Sequence, residues 1–306
     1  MSARRCVGRG ASVPARLLVA MGMGGLVVAG AGATAVSAAA PVIRMVPAHA
    51  LGAASPRARS SSSTPTSTAP CWASTNWSGY AVSETSPSGL SCLPASGEAY
   101  TSVTGTWTVP TVTGSRGTTA YSAAWAGIDG FTDSSLIQAG TEQDFYGNSA
   151  HYGAWWEILP AAETVIPSIT VQPGDSITVA ITKTTATTWS ITLTDNGKPG
   201  HAPQAPFTTT QTYSGAGTSA EWVLEAPEVN GRVATLAQYG STTFDLSTVD
   251  GQSPALKAGT AGEMVQQSGF FRSQVVSIPS NPDTGPPAGD GFSVAYGSTA
   301  PPPPTS

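Results

Sequence analysis

Three stretches alternate apolar and polar residues with a period of two: Ile169-Thr170-Val171, Ile177-Thr178-Val179-Ala180-Ile181 and Trp189-Ser190-Ile191-Thr192-Leu193. A helix cannot place such a set on one side, whereas a strand does so at every second residue. The β-branched content of these runs points the same way. Gln172-Pro173-Gly174-Asp175 and Asp195-Asn196-Gly197 separate them with turn-forming residues. Residues 103–109, 123–128, 152–158, 220–224 and 292–296 read as further short strands. No amphipathic helix longer than about three turns is legible, and residues 263–267 are expected to form one short helical turn. Gly and Pro number 34 and 25, which fits a turn-rich chain. The expectation is an all-β fold, a β-sandwich of antiparallel sheets, in one domain over residues 71–300.

Charge divides the chain. Residues 1–70 hold seven Arg and no Asp, Glu or Lys, while residues 71–306 hold the other six Lys and Arg and all eighteen Asp and Glu. The two parts carry +7 and −12, giving the net −5. Asymmetry of this kind marks a removable or separately acting segment. Arg4, Arg5, Arg9 and Arg16 precede an uncharged small and apolar run over residues 17–35, and Ala38 and Ala40 follow as cleavage positions. This reads as a signal peptide over residues 1–40 and predicts secretion, with no stable membrane insertion after cleavage. Residues 41–70 carry Arg44, Arg57 and Arg59 among Ser, Thr, Pro and Ala and read as a disordered linker or basic pro-segment. Residues 301–306 read as a disordered Pro-rich tail. Cys71 and Cys92 remain after signal removal, an even pair in an exported chain, so a disulfide is expected.

The body excludes several chemistries. An acidic chain lacks the basic face of a nucleic-acid binder. His151 and His201 both lie in loop-like stretches, with no Gly-x-Ser-x-Gly elbow near them. No phosphate-binding loop, dinucleotide fingerprint or HExxH helix occurs, and no metal site or cofactor follows from two Cys and two scattered His. Carboxylates remain as acid and base groups, naturally poised for acidic conditions because a free Glu titrates at about 4.3. So few cations also leave few salt bridges to lose in acid, which predicts an acid-tolerant fold.

Seven fragments then occur in order: Asn76-Trp77-Ser78-Gly79-Tyr80, Gly105-Thr106-Trp107-Thr108-Val109-Pro110, Trp125-Ala126-Gly127-Ile128-Asp129-Gly130, Leu136-Ile137-Gln138-Ala139-Gly140, Tyr152-Gly153-Ala154-Trp155-Trp156-Glu157, Ala220-Glu221-Trp222-Val223-Leu224-Glu225 and Leu236-Ala237-Gln238-Tyr239-Gly240. Together they resemble the glutamic peptidases, the eqolisin family of secreted acid proteases. The resemblance implies a lectin-like (concanavalin A-like) sandwich of two sheets with a substrate cleft on its concave face. It implies a catalytic dyad on neighbouring strands, Glu221 as general base and acid toward a water and Gln138 as the group that orients the water and stabilises the oxyanion. Trp125 and Trp155 match the aromatic positions lining the cleft. Asp129, Glu142 and Glu157 match further acidic positions at the substrate. Glu142 stands where the family usually has Asp, and Gly153 where some members have Asp, so one polar substrate contact is expected to differ. The family also implies a basic pro-segment blocking the cleft until low pH, with self-processing between Arg57 and Cys71, polypeptide substrates and a monomer. Two other readings use the same fold class: a non-catalytic carbohydrate-binding sandwich with exposed Trp faces, and a surface adhesion module with Pro301 to Pro304 as a wall-proximal tail.

Overall fold

A computed structural model describes residues 42–48, 52–53, 68–268 and 272–305, all within the compact unit Pro41–Ser306. The predicted signal peptide and most of the Ser- and Thr-rich stretch lie outside the described residues. Nineteen strands and no helix occur among the described residues. One hydrogen-bonded ladder runs through Phe207–Thr212, Thr188–Asp195, Ser176–Lys183, Ser102–Thr108 and Ser241–Val249. It turns through Phe292–Tyr296 and Arg272–Pro279. It then continues as Gly262–Ser268, Trp77–Ser83, Ser219–Glu225, Ala123–Ile128, Ile137–Tyr146, Ser149–Ile158 and Thr164–Val165. The two halves pack face to face, with Ser102–Thr108 and Ser176–Lys183 against Ala123–Ile128. Trp107 Nε1 donates to Thr141 Oγ1 across this interface at 3.0 Å and Trp222 Nε1 to the Thr104 carbonyl at 2.7 Å. The result is the expected antiparallel sandwich, with one short parallel pairing of Trp72–Ser74 on Gly262–Ser268.

The period-two reading is met in the outer layer. Ile177, Val179 and Ile181 are buried, as are Trp189, Ile191 and Leu193, while the residues between them are not. Residues 263–267 depart from expectation. They lie in the strand Gly262–Ser268, where pairing with Arg272–Pro279 on one side and Trp72–Ser74 on the other supplies ladder partners that a helical turn would forgo. Cys71 and Cys92 are bonded. The bond fastens the chain entering Trp72–Ser74 to the loop that carries Leu90 and Leu93.

In the inner layer the pattern changes. Every residue of Ala123–Ile128 and of Ser219–Glu225 is buried, so both faces of these strands are covered. One face joins the sandwich core through Ala124, Ala126, Trp222 and Leu224. The other carries a second apolar cluster that includes Met45, Trp77, Trp125, Leu136, Trp155 and Val223. This second face is where the candidate site lies.

Candidate active site

The register of the inner sheet builds the site. Ala81, Glu221, Gly127, Gln138 and Glu157 pair in succession across five antiparallel strands. Directly opposed residues of antiparallel strands project to the same face, so Glu221, Gln138 and Glu157 share one face and one row. Glu221 and Gln138 are not on neighbouring strands, which corrects the expectation. Ala123–Ile128 separates them because it pairs with both Ser219–Glu225 and Ile137–Tyr146. Two strand spacings put their backbones about 10 Å apart. Gly127, between them, adds no side chain to the gap. A Cβ there would stand 3.1 Å from Gln138 Cβ and 2.9 Å from Trp125 Cζ3. The next row along the same face is Val223, Trp125, Gly140 and Trp155. Gly140 is required by close approach, since a Cβ would meet the Ala124 carbonyl at 2.3 Å and Trp125 Cβ at 2.6 Å. That absence lets the two indoles, both fully buried, lie on the sheet beside the row of Glu221 and Gln138.

Glu221 is fully buried and neither carboxyl oxygen has a hydrogen-bond partner among the described residues. Burial raises its pKa well above the usual carboxylate value, Asp129 and Asp133 push the same way, and the Ser219 hydroxyl acts against them. Asp129 does not present its carboxylate to the row. Its Oδ1 accepts from the Thr218 amide at 2.6 Å and its Oδ2 from Tyr213 Oη at 2.6 Å and the Gly217 amide at 3.0 Å. With φ of 68°, Asp129 ends its strand in the left-handed region and holds the turn that leads into Ser219–Glu225.

Gln138 is also fully buried, and its Nε2 donates to Glu157 Oε2 at 2.9 Å. Glu157 is pushed up to about 8, first by burial, with the Met45 amide, Gln138 and Arg44 favouring its charged form. The same Gln138 amide donates to the Met45 carbonyl at 3.3 Å, and the Met45 amide donates to Glu157 Oε2 at 3.0 Å. Part of the stretch expected to be disordered is therefore docked on this face. Ile43–Arg44 pairs antiparallel with Glu228–Val229. The Val46 amide donates to Glu225 Oε1 at 3.0 Å, and the Val46 carbonyl accepts from Trp77 Nε1 at 2.9 Å. Asn76 Nδ2 reaches the Pro47 carbonyl at 3.2 Å, and the Ala48 amide donates to the Gly130 carbonyl at 3.2 Å. Met45 and Val46 are buried, whereas Arg44 is exposed. Main-chain hydrogen bonds and two buried side chains hold the segment.

The two departures from the family pattern compensate each other. Glu142 and Gly153 are register partners, and Glu142 Oε1 lies 2.7 Å from where a Cβ on Gly153 would stand. The longer acid thus folds into the space that the missing side chain leaves. Burial raises Glu142, and it raises Asp144 well above the usual range, with Glu142 adding to the effect. Glu163 is pushed up to about 9, by burial first and then by Glu142, Glu157 and Asp144.

Glu225, Asn76 and Trp77 escaped the sequence reading as site residues, although all stood inside quoted fragments. Glu225 had a usable signal: it follows Glu221 by four residues in a strand, so both face the same side. Burial raises it well above the usual range, and its Oε2 accepts from Trp125 Nε1 at 2.9 Å.

The Peptidase A4 family model matches residues 75–280. Aspergillopepsin-2 of Aspergillus niger is 32% identical over 173 residues, 48% of this chain and 59% of that protein. Scytalidopepsin B of Scytalidium lignicola is 35% identical over 130 residues, 42% of this chain and 48% of that protein. The matches thus span about half the length of these relatives. The crystal structure of scytalido-glutamic peptidase with a transition state analog inhibitor shares the fold, with a TM-score of 0.53 at 24% identity, covering 72% of this chain and 98% of that one. With two thirds of its length matched by the family model, the chain belongs to the Peptidase A4 family, the glutamic peptidases its sequence resembles.

Proposed function

We propose that this chain is a secreted acid endopeptidase in which Glu221 and Gln138 activate a water between them. The observation that carries this reading is the row Glu221, Gly127, Gln138: an acid and an amide on one face, with no side chain between them. Ionised Glu221 takes a proton from the water as it attacks the peptide carbonyl and returns it to the leaving nitrogen. Gln138 donates to the carbonyl oxygen as negative charge develops there. Its amide already donates to a peptide carbonyl, that of Met45. Atoms balance without a covalent intermediate: water adds across the C–N bond, and each product keeps one of its elements.

Residues 42–48 act in this reading as an inhibitory pro-segment. They occupy the amide that would serve the substrate, and Met45 packs in the apolar cluster that holds Ala81 and Val223, the strand neighbours of Glu221; in this reading that cover keeps Glu221 protonated and unfit as a base. Their departure admits solvent and lets Glu221 ionise at acidic pH. Asp129 positions Glu221 by fixing the turn before its strand, Trp125 and Trp155 floor the cleft, and Glu157 orients Gln138. Glu142 shapes the far end of the cleft. Secretion rests on the signal-like N-terminus and agrees with the Cys71–Cys92 bond. The carbohydrate-binding alternative requires exposed indole faces, and with residues 42–48 in place Trp77, Trp125 and Trp155 are all fully buried.

The test is digestion of a denatured protein at pH 3–4 by the wild type and by Glu221→Gln. Cleavage by the wild type alone supports the reading. Equal cleavage by both removes Glu221 from the mechanism, and cleavage by neither, with retention on a sugar column, replaces the peptidase by a lectin.

A further inference from the structure

Away from the cleft, the described residues contain two tight groups of carboxylates, and they differ in how their charge is met. In the first, Asp175 and Asp195 lie against Lys198 and His201. Lys198 Nζ is 3.5 Å from Asp175 Oδ1, and His201 Nδ1 is 2.8 Å from the same oxygen and 3.8 Å from Asp195 Oδ2. The Gln172 and Gly197 amides donate to the two acids at 2.7 Å each. This group has its donors built in: an ammonium, an imidazole and two backbone amides.

The second group is Asp245, Asp283 and Asp290. One carboxylate oxygen of each lies within 4.8 Å of the others. Asp283 and Asp290 are each 4% exposed, and the ion pairs among the described residues do not reach this trio. Asp283 Oδ1 is occupied by the Gly289 and Gly291 amides, at 2.8 and 3.3 Å. Its Oδ2 is buried and accepts no hydrogen bond. Ser247 donates its amide to the Asp290 carbonyl at 3.0 Å and lies in the register shift that follows Asp245. It too buries an unpartnered oxygen, Oγ. Three like charges within 5 Å, one with a desolvated and unused acceptor, are strongly unfavourable unless a cation or proton joins them.

The donor set selects the kind of cation. It consists of carboxylate oxygens, with no nitrogen or sulfur, which suits a hard divalent ion. Calcium takes oxygens at about 2.3–2.6 Å, so its ligands stand up to about 5 Å apart. Magnesium, at about 2.0–2.1 Å, spans about 4.2 Å at most and demands stricter octahedral placement. We propose that Asp245, Asp283 and Asp290 bind a calcium ion, which ties the strand Ser241–Val249 to the loop between Arg272–Pro279 and Phe292–Tyr296. The site lies outside the cleft and would stabilise the turn of the ladder from one layer to the other.

The experiment uses the full chain at pH 7.5, stripped with EDTA and titrated with CaCl2 by calorimetry, with thermal unfolding measured in parallel. One ion binds, with a Kd in the range of about 10⁻⁴–10⁻³ M found for extracellular calcium modules, and Tm rises by several degrees in 10 mM CaCl2. Asp283→Asn and Asp245→Asn each abolish both responses. Should Asp283→Asn fail to fold, Asp245→Asn carries the test, because the Asp245 carboxylate accepts a local hydrogen bond, from the neighbouring Leu246 amide. No binding heat and no Tm rise in the wild type overturn the proposal and leave a shared proton as the neutralising species. Unchanged binding in Asp245→Asn overturns it as well.

Discussion

Two buried carboxylate sites in the sandwich teach different lessons. At the turn around Asp175, acid meets base: Lys198 and His201 stand within ion-pairing distance, and backbone amides complete the set. On the covered face of the inner sheet, acids gather with no cation in ion-pairing distance among the described residues, although Glu157 and Glu225 accept the Met45 and Val46 amides. Glu221 is fully buried and unpaired, and Glu157, Glu225, Glu142, Asp144 and Glu163 all have their pKa values raised, with burial as the first cause in each. A fold that gives one pair of carboxylates a lysine and a histidine leaves Glu221 without a hydrogen-bond partner among the described residues. Strongly perturbed acids in a cleft are candidate catalytic groups.

The contrast is broken most sharply by matched substitutions. Glu221→Gln should lower kcat/KM at pH 3.5 by about 10³-fold or more while leaving the unfolding midpoint near that of the wild type. Asp175→Asn should do the reverse. It should leave kcat per folded molecule unchanged and cost about 3 kcal/mol of stability at pH 7 by chemical denaturation, the lower end for breaking a buried ion pair because Lys198 and His201 are partly exposed. An activity loss of similar size in both would erase the distinction. Gln138→Ala comes next, with kcat reduced by about 10²–10³-fold, the usual effect of removing one oxyanion donor. A change confined to KM would make Gln138 a binding residue only.

Stability against pH sharpens the comparison further. Glu157 and Glu163 are raised to about 8 and about 9 in the fold, against an ordinary value of 4.5. Below pH 4.5 both states are protonated and no penalty arises. As pH rises from there toward 8 or 9 the unfolded chain releases protons that the folded one keeps, so stability falls over that window. Urea midpoints should therefore decline from pH 4.5 to 8.5. A midpoint that instead rose through this window would contradict the unpaired character of the cleft. The smallest effect belongs to Gly153→Ala. Its Cβ meets the movable end of Glu142, so the side chain can swing aside at a cost under about 1 kcal/mol, read as a small drop in Tm.

Sequence periodicity revealed the outer layer because those strands bury one face and wet the other, as at Ile177, Val179 and Ile181. In the inner layer residues 123–128, 152–158 and 220–224 still read as strands, but Ala123–Ile128 and Ser219–Glu225, buried on both faces, lose the alternation that would tell which side faces the core. The family motifs placed Glu221 and Gln138 in the chain, and residues 123–128 read as a strand, but strand order is a matter of register, and nothing in the sequence set Ala123–Ile128 between the two site strands. Asp129 and Glu142 were read as groups turned toward substrate. Asp129 spends its oxygens on Tyr213, Gly217 and Thr218, partners more than 80 residues away, and Glu142 fills the gap beside its cross-strand partner Gly153. The Asp245, Asp283 and Asp290 trio left no spacing motif, since the fold alone brings it together. The low-complexity stretch around Arg44 gave no periodic signal because Met45 and Val46 are buried by the cleft and not by one another.

The most direct measurement is the pH dependence of kcat/KM for enzyme freed of residues 42–48, comparing wild type with Glu221→Gln. The account predicts that the wild-type rate falls at its acidic edge as Glu221 takes up its proton, and that the residual rate of the variant shows no such edge. A variant that kept the same acidic edge would show that another group serves as the base.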